Sequence, residues 1–291
     1  MKTEKTLFGV VLMLLSCLIL AVQDGLSKYL SSLYPVLIVI WVRYLTQLFL
    51  LLGSCAPRQG WQLVKTQRPM LQLARGISLV SLSLCFFSSL IYLPIGEATA
   101  VLFLSPLFVV IFSALVLKES IKPVLWLCVV LGLLGVLMIV RPGGDLFRPA
   151  ALLPLLAAVF LGIYQLLTRR LSATDSPVTS NFLTAVVGSL VTSALVPFVW
   201  QAPESWAHML MMIALGSCSV IGHMLMTHAY GYASAATLSP FTYAQIVFAV
   251  LTGVLVFGHT PDAWALLGIA VIVGSGVLMA LSANRAAKGA R

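Results

Sequence analysis

Charge is what this chain has least of. Only 9% of its 291 residues are Asp, Glu, Lys or Arg, against about 25% in a typical soluble domain. Acids are scarcest, 8 against 17 Lys and Arg. The cysteines (Cys17, Cys55, Cys85, Cys128, Cys218) are scattered and form no CxxC pair. That pattern argues against a disulfide framework or a zinc site and for small packing residues. No polar stretch is long enough to fold as a soluble catalytic domain. There is no Walker A loop, no HExxH and no GxSxG, so ATP-driven pumping and hydrolytic chemistry are disfavoured and no cofactor or metal is expected.

What fills the chain instead is apolar sequence: 60% hydrophobic residues and a mean hydropathy of +1.07. About 20 apolar residues suffice to cross a bilayer as a helix. Ten such segments are read at 7–30, 34–53, 69–92, 98–117, 123–140, 150–168, 178–199, 206–230, 235–257 and 261–282. Leu14-Leu15-Ser16-Cys17 resembles a lipoprotein cleavage box. Cleavage there would cut the first segment in two, and an A-x-A site is missing.

The net charge of +9 is placed as a topology signal rather than as a nucleic-acid surface. Lys2, Lys5, Arg58, Lys65, Arg68, Lys118, Lys122, Arg169, Arg170, Arg285, Lys288 and Arg291 flank one side of the segments. Only Lys28, Arg141 and Arg148 flank the other. The positive-inside rule then puts both termini in the cytoplasm, in an inner (cell) membrane, with no nucleic-acid partner.

The second half of the chain echoes the first. Lys28-Tyr29-Leu30-Ser31 aligns with Arg169-Arg170-Leu171-Ser172, and Gly135-Val136-Leu137-Met138 with Gly276-Val277-Leu278-Met279, both at an offset of 141; Pro35-Val36 aligns with Pro177-Val178 at 142. Ser105-Pro106 and Ser239-Pro240 pair at 134. Five segments is an odd number, so a second copy enters the membrane upside down. The expected fold is therefore an all-α integral membrane protein with ten transmembrane helices, in two inverted five-helix repeats at 1–143 and 144–291. Inverted repeats typify secondary transporters, whose substrate sites lie near midplane between the repeats.

Several motifs sharpen this. They are Asp24-x3-Lys28, Trp41-x-Arg43-Tyr44, Leu93-Pro94-Ile95-Gly96-Glu97-Ala98-Thr99-Ala100, Ser105-Pro106-Leu107-Phe108, Lys118-Glu119 and Arg141-Pro142-Gly143 in the first half. The second half has Gly222-His223, Ser239-Pro240-Phe241-x-Tyr243 and Phe257-Gly258-His259 with Trp264 and Gly268. With these the chain resembles, over nearly its whole length, the EamA-type branch of the drug/metabolite transporter superfamily. The resemblance implies ten helices and an inner-membrane carrier of small organic metabolites: amino acids, nucleoside-like cofactors, vitamins or drugs. One departure is His259, where the second repeat of relatives often has Glu; at a span end it bears on loop packing or gating.

Polar residues inside the segments are the site candidates, because charge in the bilayer is costly. Arg43 can hold a carboxylate or phosphate, or partner Asp24 or backbone carbonyls. Asp24 reads as the only acid well inside a span. It is either a local ion pair with Lys28 one turn on, or a proton-coupling carboxylate. Gln165 stands at the repeat position of Asp24, beside Tyr164. His223 shares a helical face with Gly216, Ser219, Thr227 and Tyr230, while His228 turns elsewhere. Ser239 and Tyr243 lie one turn apart around Pro240, and Trp41, Tyr44 and Tyr92 can supply aromatic walls, with Tyr92 close enough to a membrane interface for the aromatic belt. The serines of 78–88 read as packing positions. The expected substrate contacts are Arg43, Trp41, Tyr44, Tyr164, Gln165, His223, Ser239 and Tyr243, with Asp24 for coupling to protons. The expected partners are a small-molecule substrate and the lipid bilayer, with the chain a monomer or weak dimer. An intramembrane enzyme would need clustered acids or a nucleophile–base pair, which the spacing does not offer. A receptor or assembly subunit that moves nothing is the remaining alternative.

Overall fold

A computed structural model of the chain describes residues 2–116, 123–140, 152–171, 174–232, 238 and 241–289. Ser239, Pro240, the Lys118-Glu119 motif and the basic turn from Arg141 to Arg148 lie outside them, as do the side chains of Thr227 and Tyr230. The described residues are helical throughout, with no strand. In chain order the helices are α1 (Lys2–Leu33), α2 (Val36–Gln59), α3 (Pro69–Tyr92), α4 (Ile95–Leu102), α5 (Ser105–Val116) and α6 (Pro123–Val140). They continue with α7 (Leu152–Leu171), α8 (Pro177–Leu195), α9 (Trp206–Tyr232), α10 (Ala244–Phe257) and α11 (Ala263–Gly289).

Proline sets many of the boundaries. Pro69 and Pro177 begin α3 and α8, where the missing N–H costs nothing and φ is already helical. Ser176 caps α8 by accepting from the Thr179 amide at 3.0 Å. Gly258, at φ 68°, ends α10 in the left-handed conformation that only glycine adopts without strain. The amides of Gly258 and His259 turn back onto Val254 and Gly253. His259 thus sits in a helix stop and tilts against Phe257, with ring centroids 6.2 Å apart.

Six helical segments are long and apolar enough to cross a membrane: Thr6–Leu33, Val36–Cys55, Pro69–Tyr92, Ile95–Phe112, Pro177–Val199 and Trp206–Met226. Four shorter apolar helices accompany them, at Trp126–Ile139, Leu152–Thr168, Ala244–Phe257 and Ala263–Met279. Large apolar side chains such as Phe49, Leu190 and Leu255 cover the outside of the bundle. Burial from water cannot drive helices together inside lipid, so close packing and buried polar contacts must do it.

The packing has an internal symmetry. Helix α1 packs on α9 and α10, as α7 packs on α3 and α5; α2 packs on α9, as α8 packs on α3; α2 meets α8, α4 meets α10, and α6 meets α11. Exchanging the first five apolar segments for the last five, with α4 and α5 as one, turns this set of neighbours into itself. At the α6–α11 crossing the approach is reciprocal. A Cβ on Gly268 would meet the Gly135 carbonyl oxygen at 2.6 Å, and one on Gly135 would meet that of Gly268 at 2.9 Å.

The fourth segment differs from the sequence expectation twice. It begins at Ile95 rather than 98, which brings Glu97 inside it, 5% exposed. Asp24 is therefore not the only acid buried in a span. The segment is also broken. After Leu102 the chain turns through Phe103 and Leu104 and restarts at Ser105, because Pro106 brings no N–H to the ladder. Such breaks are tolerated in membranes where neighbours re-satisfy the backbone. Here the amides of Leu104 and Leu107 switch to carbonyls three residues back.

Candidate polar site at mid-bundle

Two guanidiniums lie within the bundle, and they are held very differently. Arg75, on α3, is 2% exposed. Its Nε donates to Thr168 Oγ1 at 2.8 Å, one terminal nitrogen donates to Ser180 O at 2.6 Å and to Thr184 Oγ1, and the other donates to Tyr164 Oη at 2.6 Å and Asn181 Oδ1 at 3.2 Å. Its plane also lies 4.5 Å from the Tyr164 ring centroid. A guanidinium has five N–H donors, and every one of them is spent, so Arg75 rivets α3 to α7 and α8.

Arg43, on α2, is also buried, at 5% exposed. It donates once, from a terminal nitrogen to Ser83 Oγ at 2.7 Å. Its Nε is buried and meets no partner. The cation lies 4.5 Å from the Tyr44 ring centroid and 5.4 Å from that of Phe87, a cation–π cradle that orients it without using its donors. Tyr44, fully buried, reaches Ser83 Oγ at 3.4 Å and packs its ring into the notch left by Gly188, where a Cβ would come within 2.4 Å.

Asp24, on α1, is 3% exposed and takes a hydrogen bond from Gln245 Nε2 at 3.3 Å, across to α10. Arg43 is within electrostatic reach of it, but no ion pair joins the two among the described residues. Nor does Asp24 pair with Lys28. The Lys28 ammonium donates to the carbonyls of Leu90 at 2.5 Å and Leu93 at 2.8 Å. Those acceptors close the C-terminus of α3, where unpaired carbonyls and the negative end of the helix dipole favour a cation. The i,i+4 spacing predicted a local pair; the docked helix end outcompetes it.

His223 projects from α9 with its ring accessible, and it is within electrostatic reach of both Arg43 and Arg75. Its Nδ1 donates to the Ser219 carbonyl one turn back at 2.7 Å. Tyr164 is half-buried and held by Arg75, within electrostatic reach of Tyr44; its neighbour Gln165 is exposed. Asp24, Arg43, Tyr44, Tyr164 and His223 therefore form one polar layer, with Gln245, Ser83 and Arg75 as members the sequence did not single out.

Two expected contacts sit elsewhere. Trp41 donates its indole N–H to Ser193 Oγ at 2.7 Å and meets Trp200 edge-on with centroids 5.8 Å apart, at the α2–α8 seam. Tyr243 is 7% exposed, with its ring 5.4 Å from that of Phe103. Its hydroxyl occupies the space a Cβ on Gly276 would need, only 1.5 Å away. It joins the break in the fourth segment to the start of α10. Ser239 lies outside the described residues. No group of three or more His, Cys, Asp or Glu that could hold a metal occurs among the described residues.

The apolar helices with a buried polar layer define a multi-pass membrane protein, and its relatives make it a transporter. The EamA-like transporter family matches twice, over residues 7–141 and 148–281, and the chain belongs to that family. It is 30% identical to the riboflavin transporter of Vibrio cholerae over 87% of this chain and 83% of that one. It is 26% identical to an S-adenosylmethionine uptake transporter of Rickettsia conorii, over 98% and 96%. It is 30% identical to a pseudopaline exporter of Pseudomonas aeruginosa, over 91% and 93%. A solved protein crystal structure shares the fold with a TM-score of 0.64 at 21% identity, covering 97% of this chain and 98% of that one. Family and relatives alike are transporters, not enzymes.

Proposed function

We propose that the chain is a secondary active carrier that moves a small amphipathic organic metabolite across the inner membrane by alternating access. In this reading residues 1–143 and 144–291 are two inverted repeats, the ten apolar segments all cross the bilayer, and both termini face the cytoplasm. The twofold family match and the exchange symmetry of the helix neighbours support that arrangement. Substrate binds in the polar layer between the repeats, where such sites usually lie.

The observation that carries the reading is the contrast between the two arginines. A buried guanidinium with an unpartnered Nε is costly to keep unless a ligand completes it. Arg75 shows what this bundle does with an arginine that is only structural. Arg43 is left incomplete, beside the aromatic faces of Tyr44 and Phe87 and within electrostatic reach of Asp24 and His223. That set suits an anionic or zwitterionic solute with a planar group. The relatives' names span riboflavin, S-adenosylmethionine and pseudopaline, with uptake and export both among them, so the lining of this chain must decide its own substrate.

Asp24 is the coupling candidate. Its repeat counterpart, Gln165, cannot titrate, so protonation would act on one half alone. The test is uptake into proteoliposomes from a pooled metabolite mixture, read by mass spectrometry with and without a pH gradient. Accumulation of one compound, lost in Arg43→Ala, is expected. No compound entering vesicles that hold folded protein would overturn the carrier reading.

A further inference from the structure

Polar ties join the two repeats at both ends of the bundle, in linkers that correspond to one another. Tyr34 stands between α1 and α2, directly before Pro35. Asp175 stands between α7 and α8, two residues before Pro177. At one end the Tyr34 hydroxyl meets His208 Nδ1 at 2.6 Å and accepts from the Glu204 amide at 2.9 Å, reaching the α8–α9 linker and the first turns of α9. At the other end Asp175 accepts from Thr66 Oγ1 at 2.5 Å, from the Gln67 amide at 3.4 Å and from Gln72 Nε2 at 2.7 Å, reaching the α2–α3 linker and the first turn of α3. Each repeat thus offers its first linker to the linker and third helix of the other. Helix α2 separates the two ends by its 24 residues, about 36 Å at about 1.5 Å each.

The two ties are unequal. Behind Asp175 the network runs on into the bundle: Gln72 Nε2 also reaches Ser180 Oγ at 3.0 Å, and Arg75 then takes up Ser180 O, Tyr164 and Thr168. Asp175 is itself 8% exposed. Behind Tyr34 no such ladder exists among the described residues. Residue 216, which stands to Arg75 at the repeat offset of 141, is glycine. It packs against Thr46 and the Arg43 carbonyl and has no side chain with which to bond.

We propose that these two linkers are the gates of the transport cycle, and that the Tyr34 gate, which has no such ladder behind it although Tyr34 is itself 3% exposed, is the one that opens in the absence of substrate. The proposal rests on the carrier reading and adds which residues close each side and which side yields first. Under the topology above, the ligand-free carrier opens outward. The central layer then exchanges solute with the Tyr34 face until the Asp175 ladder is broken in turn.

The experiment uses the full chain with its five cysteines replaced and its transport checked. Two thiol pairs are introduced separately, Tyr34→Cys with Glu204→Cys and Thr66→Cys with Asp175→Cys, and each is bridged in proteoliposomes with a reducible bifunctional methanethiosulfonate long enough to span the side chains it replaces. Either cross-link is expected to reduce transport to background, with recovery on reduction. Single thiols at Leu30 and Leu171, each fully buried one turn inside its linker and leaving the ties intact, are also exposed to a membrane-impermeant maleimide from each face without substrate. Position 30 is expected to react about tenfold faster, the ratio that one or two net hydrogen bonds supply. Transport at the parent rate with either pair locked overturns the gating assignment while the carrier reading stands. Equal labelling, or faster labelling at 171, overturns the order of opening. A parent protein that moves nothing overturns the carrier reading and the gates together.

Discussion

Asp24 takes its hydrogen bond from Gln245 on α10, at 3.3 Å, while Lys28, one turn away on its own helix, turns to the carbonyls that end α3. The acid is thereby released from its nearest cation and tied across the repeat boundary, with Arg43 near enough to be felt but not bonded. Protonation of such a carboxylate changes the charge seen by Arg43 and by any anion resting on it. Asp24→Asn is therefore expected to abolish accumulation driven by an imposed pH gradient while solute exchange at equal pH persists. Gradient-driven accumulation by the variant at the parent level would remove Asp24 from coupling.

The two arginines should separate function from stability. Arg43→Ala removes one hydrogen bond and two cation–π contacts but also the cost of burying an incomplete cation; thermal unfolding in detergent should shift much less than for Arg75→Ala, while transport falls to background. Arg43→Lys keeps the charge without the fork, so weakened rather than absent transport is expected from it. Arg75→Ala removes five hydrogen bonds from a charged group that join α3 to α7 and α8, on the order of 1.5–3 kcal/mol each before relaxation, although Ser180 O, Thr184 and Thr168 keep bonds within their own helices. Thermal unfolding should shift down strongly. If Arg43→Ala unfolds as readily as Arg75→Ala, the contrast between an incomplete and a saturated guanidinium fails.

Much of this was legible in the sequence, and what was not has a common cause. Hydropathy located the apolar helices, six of them long enough to span and four shorter, and the family residues were readable before the family match. The cost of charge in lipid pointed to Arg43 and Asp24, both of which are buried. Misreadings came where a partner is supplied by another helix. Asp24 and Lys28 looked like a pair because spacing sees only one helix. Tyr243 looked like a cavity residue because it lies one turn from Ser239, but Gly276 offers its hydroxyl a slot. Glu97 lies inside the fourth segment because the helix starts at Ile95, directly after Pro94, three residues earlier than hydropathy alone places it. Asp175, in a short polar linker, gave no local sign that two other segments converge on it.

The Lys28 assignment has its own test. If the ammonium serves α3 and not Asp24, Lys28→Met should destabilise the fold by about 1–3 kcal/mol, the range for hydrogen bonds to a charged group. Asp24→Asn should neither reproduce nor rescue that loss. A double-mutant cycle of the two, followed by thermal unfolding, is expected to give a coupling within about 0.5 kcal/mol of zero. Coupling well beyond that would restore the ion pair.

The Asp175 tie predicts a flat pH response where a titrating gate would give a steep one. Burial raises the pKa of this carboxyl, but the hydrogen bonds from Thr66, Gln72, the Gln67 amide and Thr174 together outweigh it and leave the group below its ordinary value. A carboxylate with a lowered folded pKa contributes stability that is fully present above its unfolded value, about 3.9. That contribution is lost only as the pH falls through the folded value. Between pH 5 and 8 the gate therefore stays ionised and closed to the same degree. Labelling of a thiol at position 171, fully buried behind this linker, from the cytoplasmic face should not vary across that range in the parent chain. Asp175→Asn, which keeps the shape but gives up the charge-assisted acceptors, should raise the labelling rate by about tenfold at every pH in it. A parent rate that climbs toward pH 5 and a variant that does not would show that Asp175 itself titrates there, and that this end of the bundle is a proton-operated gate.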